Sequence, residues 1–228
     1  MPRKYIFTFV AILFASFVRS QDDEGLAIDE AYLEDQFYIG LSYNFLATDN
    51  AIFTQRNFSY NLKLGFIRDM PLNAQRNIAL GLGFGYAANS YYTNLLVTET
   101  DQGLTYAFPE AIDFKRGKLE THALEVPFEI RWRNSNPIDY RFWRIYAGAK
   151  LSYNFLRRSK YVYENTKNAF TNNTIEPLNY GLTLNVGYNT FNIHLYYGLN
   201  GLLDNGAVLA GDTMALRPFR VGIIFYIL

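Results

Sequence analysis

Eight segments that alternate apolar and polar residues with a period of two, a short apolar leader, and no later run approaching the roughly 18 apolar residues of a membrane helix predict an all-β fold. The specific expectation is an eight-stranded antiparallel up-and-down transmembrane β-barrel preceded by a cleaved signal peptide. Half of the 228 residues are hydrophobic, so the apolar content must be interleaved with polar positions rather than gathered into spans.

The leader comes first. Arg3 and Lys4 precede an apolar stretch from Tyr5 to Val18, and Val18-Arg19-Ser20 satisfies the cleavage rule with a cut before Gln21. A membrane anchor is the alternative, but Tyr5 to Val18 contains Thr8 and Ser16 and falls short of the roughly 20 residues that a span requires. Residues 1–20 therefore read as signal peptide, 21–35 as a short periplasmic segment and 36–228 as the barrel.

From Gln36 onward the alternation can be followed strand by strand. The first segment sets Phe37, Ile39, Leu41, Tyr43 and Phe45 against Tyr38, Gly40, Ser42 and Asn44. The second sets Phe58, Tyr60, Leu62, Leu64 and Phe66 against Ser59, Asn61, Lys63, Gly65 and Ile67. In the third, Ile78, Leu80, Leu82, Phe84 and Tyr86 face away from an almost bare row of Ala79, Gly81, Gly83, Gly85 and Ala87. The fourth opposes His122, Leu124, Val126, Phe128, Ile130 and Trp132 to Ala123, Glu125, Pro127, Glu129 and Arg131. The fifth carries Trp143 to Phe155 outward, with Arg144, Tyr146, Gly148, Lys150, Ser152 and Asn154 opposite. The sixth, from Tyr180 to Tyr188, turns through Asn189-Thr190 into the seventh, from Phe191 to Leu199. The last runs from Phe219 to Ile227.

Segments of this length match the roughly 9 to 11 residues of a tilted membrane strand. An even number returns the chain to its starting side, which places both termini in the periplasm. Connections after the odd strands are long and those after the even strands shorter, with the longest loops expected at 94–114 and 157–177. Within the apolar faces, Phe66, Trp132, Trp143, Tyr188, Phe191 and Phe225 form one aromatic girdle, and Tyr43, Tyr60, Tyr86, Tyr153, Tyr180 and Tyr197 the other. A soluble sandwich or lipocalin-like barrel also alternates, but its eight strands enclose too little volume for this many large aromatics. The hexapeptide Leu-Ser-Tyr-Asn-Phe-Leu occurs at 41–46 and again at 151–156, which fits either a duplicated half-barrel or two strands obeying one rule.

Charge and composition limit function. Of 21 basic residues three leave with the leader, so 18 remain against 21 acidic ones, a balance that offers no basic field to nucleic acid. The absence of cysteine excludes disulfides, thiolate metal sites and a cysteine nucleophile. Lys63, Glu125, Glu129, Arg131, Arg144, Lys150, His194 and Arg220 fall on the inward parity, where both signs are expected to pair as a structural network filling the lumen. A proton or ion path is the functional alternative. His122 on the outer face and His194 in the lumen are the only imidazoles, and neither sits in a triad motif. No catalytic residue, cofactor or metal site and no small-molecule substrate is expected, and the chain reads as a non-enzyme whose first partner is outer-membrane lipid.

Three stretches carry a family resemblance. They are LETHALEVPFEIRWRNSNPIDYRFWRIYAGAKLSYNF at 119–155, YGLTLNVGYNTFNIHLYYGLN at 180–200 and LRPFRVGIIFYIL at 216–228. Over residues 36–228 the chain resembles the PorT family of outer-membrane barrels from Bacteroidota. That resemblance implies an outer-membrane barrel associated with type IX secretion, with translocon proteins as partners, and it carries no catalytic motif. The expected role is an assembly or accessory component of that export of surface proteins, proteases or gliding adhesins. Two alternatives stand beside it. One is a structural or adhesive surface barrel that binds a ligand through Tyr91, Tyr92, Tyr106, Phe108, Tyr161, Tyr163 and Phe170 of its outer loops; the other is a small-solute pore.

Overall fold

Hydrocarbon forces every backbone N–H and C=O to find a partner within the protein, and strands do so only when the sheet closes on itself. In a computed structural model, which describes residues 35–227 apart from 56, 102, 110–113, 135–142, 164–165, 189–190 and 210–211, it closes. The leader, residues 21–34 and the Asn189-Thr190 turn lie outside the described residues.

The strands are β1 (Asp35–Ala47), β2 (Tyr60–Pro71), β3 (Ile78–Thr93), β4 (Leu96–Thr100), β5 (Gly103–Ala107), β6 (Phe114–Arg133), β7 (Trp143–Tyr163), β8 (Thr166–Thr171), β9 (Leu178–Tyr188), β10 (Phe191–Gly198), β11 (Val208–Leu209), β12 (Asp212–Thr213) and β13 (Arg217–Ile227). Eight of them, β1, β2, β3, β6, β7, β9, β10 and β13, form an antiparallel ring in that order. The ring is sealed by β1 against β13, from Phe37 opposite Ile227 to Ala47 opposite Arg217. The end where β1 begins and β13 finishes is the terminal end; the opposite end, from which further hairpins rise, is the hairpin end.

In the lower part of the ring the polarity is inside out relative to a soluble protein. Phe37, Leu64, Phe84 and Ile130 point outward and are exposed, while Asn44, Asn61, Lys63 and Arg131 point inward and are buried. Tyr38 also turns inward, its ring lying over Gly65 and Gly85, where any Cβ would collide with it. The bare inner row of β3 is thus the floor on which a large side chain rests.

Toward the hairpin end the polarity inverts. Strands β6 and β7, of 20 and 21 residues, outlast the ring and stay paired up to Phe114 opposite Tyr163. Where β9 leaves the edge of β7 after Tyr153, β8 takes it over from Arg158 to Tyr163. A bulge at Phe155, with His122 opposite Leu156 but Ala123 opposite Asn154, switches the facing of β7 so that Ser159 is buried and Arg158 exposed above it. Here Tyr91, Leu95 and Leu119 turn inward and join Val97, Tyr106, Ile175, Leu202 and Leu216 in an apolar plug over the lumen.

This corrects the expectation of loops at 94–114 and 157–177. Much of both segments is hydrogen-bonded sheet: the β4–β5 hairpin in the first, and the end of β7 with β8 in the second. The reason is the inversion itself. Above the apolar band the outer face meets water and turns polar, so a scan for apolar residues facing outward loses the strand. Two aromatics expected on a loop surface, Tyr91 and Tyr106, are instead buried, at 0% and 7% exposure, with Phe108 and Phe170 packed against the same cluster.

Candidate functional site

The barrel interior holds two polar groups of side chains that line one small cavity. Near the terminal end, β2 brings Asp69 and β6 brings Arg131 and Arg133 to one point, where the Asp69 carboxylate accepts from both guanidinium groups. Arg131 Nε also donates to Glu129 Oε2 at 3.0 Å, and Arg131 Nη1 to Gln36 Oε1 at 3.0 Å. The Arg131 guanidinium lies 4.1 Å from the ring centre of Tyr146 and 5.0 Å from that of Tyr226.

Midway up the lumen, Lys150 Nζ sits 2.8 Å from Glu125 Oε1, and Arg220 Nη1 lies 3.7 Å from the same oxygen. Arg220 also donates to the Tyr91 hydroxyl at 3.2 Å, which ties the network to the plug above. Glu129 Oε1 accepts from Asn185 at 3.0 Å, and Asn185 Oδ1 lies 2.6 Å from His194 Nδ1, so the terminal-end group extends through Glu129 to His194. Lys63, Glu125, Glu129, Lys150 and His194 surround a cavity of ≈ 20 Å³, room for about one water. Arg144 is buried in the same interior toward the terminal end, opposite Arg133 on β6 and Gly187 on β9.

The buried acids among the described residues are Asp69, Glu125 and Glu129, and the buried bases are Lys63, Arg131, Arg133, Arg144, Lys150 and Arg220. Aromatic faces absorb part of that excess: Tyr146 and Tyr226 under Arg131, and Tyr196 at 4.8 Å from Lys150 and 4.4 Å from Arg220. The interior network expected from sequence had eight residues and lacked Asp69, Arg133 and Gln36; Tyr146 stood on the inward row without a part in the network. Asp69 was within reach, since it continues the inward parity of Lys63 and Ile67 to the end of β2.

The six aromatics assigned to one girdle all lie on the outer face at the terminal end. Phe66 meets Phe37 edge to face at 5.3 Å, Trp143 meets Tyr188 at 5.3 Å and Phe191 meets Phe225 at 6.2 Å, while Trp132 stands exposed.

Outside the hairpin end, a chain of polar contacts sits where the apolar band stops. The Tyr86 hydroxyl is hydrogen-bonded to Nδ1 of His122, whose Nε2 lies 3.4 Å from Glu120 Oε1. Glu120 also holds Lys118 at 3.4 Å and Lys160 at 2.5 Å. Partial burial pushes the Glu120 carboxyl up, but Lys160 and Lys118 outweigh it and bring its pKa down to about 2. Further up, burial in the plug raises the Tyr106 pKa, against the hydrogen bonds it shares with Thr174 and Asn172.

Residues 19–204 match the family model described as the outer membrane protein beta-barrel domain. Among solved structures, the chain is similar to Ail, the attachment invasion locus protein of Yersinia pestis, at 12% identity and a TM-score of 0.40, covering 85% of this chain and 98% of that one. No curated protein matches the sequence. A match across most of the chain, on a closed antiparallel ring with an apolar exterior, settles the family: this protein is a member of the outer membrane protein beta-barrel domain family.

Proposed function

We propose that the protein is a non-enzymatic outer-membrane barrel that acts through its surfaces, as an assembly or accessory component of type IX protein secretion. The observation that carries this reading is the filled lumen. The interior is occupied by the Asp69–Arg131 and Glu125–Lys150 groups and closed above by the plug around Tyr91, Leu202 and Leu216, so no polypeptide passes through it. What remains for interaction is the wall of β6, β7 and β8 and the hairpin β4–β5. The secretion assignment rests on the resemblance to PorT-type barrels.

Orientation follows the rule that outer-membrane barrels keep short turns in the periplasm and longer connections outside. The terminal end has the short link from Leu72 to Asn77 between β2 and β3, and the opposite end has the wall and the hairpins. Both termini are therefore assigned to the periplasm. The non-enzymatic assignment is supported by the imidazoles: His194 lies in the sealed interior, and the ring of His122 is engaged by Tyr86 and Glu120.

Deleting the gene and following secretion of proteins that bear the type IX C-terminal signal tests the role. Loss of their export with normal levels of other outer-membrane barrels is expected; unimpaired export would rule the role out. A second reading, a surface barrel that binds an external ligand, is favoured by Tyr92 and Tyr161 lining a cleft on the outside of the wall. It predicts normal secretion in the deletion strain together with loss of ligand binding to whole cells.

A further inference from the structure

Above the apolar band, the outer face of the β6–β7–β8 wall carries a cleft of ≈ 270 Å³ lined by Tyr92, Arg116, Lys118, Lys160, Tyr161 and Lys167, among others. Four cations converge there, drawn from three strands. Among the described residues the carboxylate in contact with them is Glu120, which holds Lys118 and Lys160 and leaves the described group with an excess of positive charge. Tyr92 orients two of them, with Lys118 Nζ 5.3 Å and the Arg116 guanidinium 5.6 Å from its ring centre.

The position of this cleft gives it meaning. Directly below it on the same face come Glu120, His122 and Tyr86, then the lipid-facing residues Leu124, Val126 and Phe128 of β6. Lower still, Ala147, Gly148 and Ala149 of β7 leave a furrow of ≈ 670 Å³ bounded by Phe128, Ile130, Leu182 and Leu184. The cationic cleft thus stands directly above the lipid-facing residues Leu124 and Val126 on the outer face of one continuous strand pair, and the furrow lies lower, at mid-barrel.

We infer that the outer face of β6, β7 and β8 binds a phosphorylated, multiply acylated glycolipid of the outer leaflet, with lipid A chemistry, its phosphate held by Arg116, Lys118, Lys160 and Lys167 and its acyl chains lying against Leu124 and Val126 below. Guanidinium and ammonium groups together match a phosphate's several acceptor oxygens, and juxtamembrane cations gain from the anionic surface. Tyr92 offers a flat face to the sugar rings. The assignment to the outer leaflet rests on the orientation proposed above.

The test uses the full chain purified in neutral detergent and titrated with bisphosphorylated lipid A, dephosphorylated lipid A and inorganic phosphate, with retention read by native mass spectrometry. Bisphosphorylated lipid A is expected to bind at least about tenfold tighter than the dephosphorylated form. The double variant Arg116→Gln/Lys167→Gln, which leaves the Glu120 ion pairs in place, should lose about 30-fold in affinity, and Lys118→Gln/Lys160→Gln a similar factor. Heat-modifiable gel mobility checks that each variant is folded. Equal binding of both lipid forms, inorganic phosphate binding as tightly as the lipid, or unchanged affinity in both folded double variants would each overturn the inference.

Orientation is read separately. The native chain has no cysteine, so Glu99→Cys at the tip of the β4–β5 hairpin can be labelled on intact cells. Labelling together with failed lipid binding overturns the lipid site alone. Lipid binding without labelling overturns the assignment to the outer leaflet.

Discussion

Asp69 on β2 and Arg131 on β6 form a buried ion pair that reaches across the whole width of β3. Gly81 of β3 makes it possible, because it stands opposite Asp69 on one side and opposite Glu129 on the other. A Cβ on Gly81 would come within 3.0 Å of Arg131 Cδ and Nε. Since Asp69 also accepts from Arg133, its removal leaves two buried guanidinium groups short of their main acceptor. Asp69→Ala is expected to lower stability by about 3–5 kcal/mol, the usual effect of breaking a buried pair from one side. Urea unfolding in detergent, followed by tryptophan fluorescence, measures it. A loss below about 1 kcal/mol, as for an exposed pair, would mean that the pair is solvated.

A second prediction concerns Tyr38 and the glycines beneath it. The Tyr38 ring occupies the space that a side chain at Gly85 would need. Gly85→Val should destabilise by about 1–3 kcal/mol through overpacking. Tyr38→Ala alone should lose about 3–5 kcal/mol through the cavity it leaves. The double variant should be less damaged than the sum, with a coupling of about 0.5–3 kcal/mol, because each change supplies what the other lacks. Strict additivity in the same unfolding assay would show that the two positions do not compete for one space.

The eight ring strands were legible because hydrocarbon outside and a narrow polar lumen inside impose opposite demands on alternate residues; Phe37, Ile39 and Leu41 facing away from Gln36 and Tyr38 state that demand directly. Legibility failed where the demand changes. Above the band, Lys118, Glu120 and Lys160 face out and Tyr91 and Leu119 face in, so an apolar-out scan reads loops where the chain continues as sheet. The repeated hexapeptide shows a further limit. In 41–46 the parity holds and Leu46 is buried in the plug, whereas in 151–156 a bulge at Phe155 redirects the strand. The bulge arises from pairing with β6, which the six residues themselves do not encode. The interior network was half legible for a simpler reason: the second segment was ended at Ile67, one inward step before Asp69.

Glu120 gives a pH prediction. Its carboxyl is held at about 2 in the folded wall against an ordinary value of 4.5. A depressed carboxylate contributes stability that is present above its unfolded pKa and is lost as pH falls through the folded one. The upper pairing of β6 with β7 around Lys118 and Lys160 should therefore loosen between pH 4.5 and about 2 and hold above that window. Hydrogen exchange of residues 116–120 and 158–162 reads it, with the effect kept small by solvent screening. Glu120→Gln should remove this pH dependence. A variant as acid-sensitive as the parent would assign the loosening to another group.

The last prediction separates a sealed barrel from a pore. Three layers close the lumen: the plug, where Leu202 and Leu216 are 1% and 0% exposed, the charged layer below it, where Glu125, Lys150 and Arg220 meet, and the Asp69–Arg131–Arg133 group toward the terminal end. Planar-bilayer recording of the full chain should show no conductance steps above background. Leu216→Ala should lower stability by about 2–5 kcal/mol, because the plug around it is close-packed and leaves a cavity when truncated. It should still not conduct, since the Glu125 layer remains beneath the cavity. Glu125→Ala should destabilise more through the two buried cations it abandons, again without opening a path past the plug. The combined variant opens the two upper layers but leaves the Asp69–Arg131 group in place, so conductance that appears only once Asp69→Ala is added to it is the signature of three seals in series. Steps in the unaltered protein would mean that the interior carries an open aqueous path, and the small-solute pore would then displace the surface-acting barrel as the better reading.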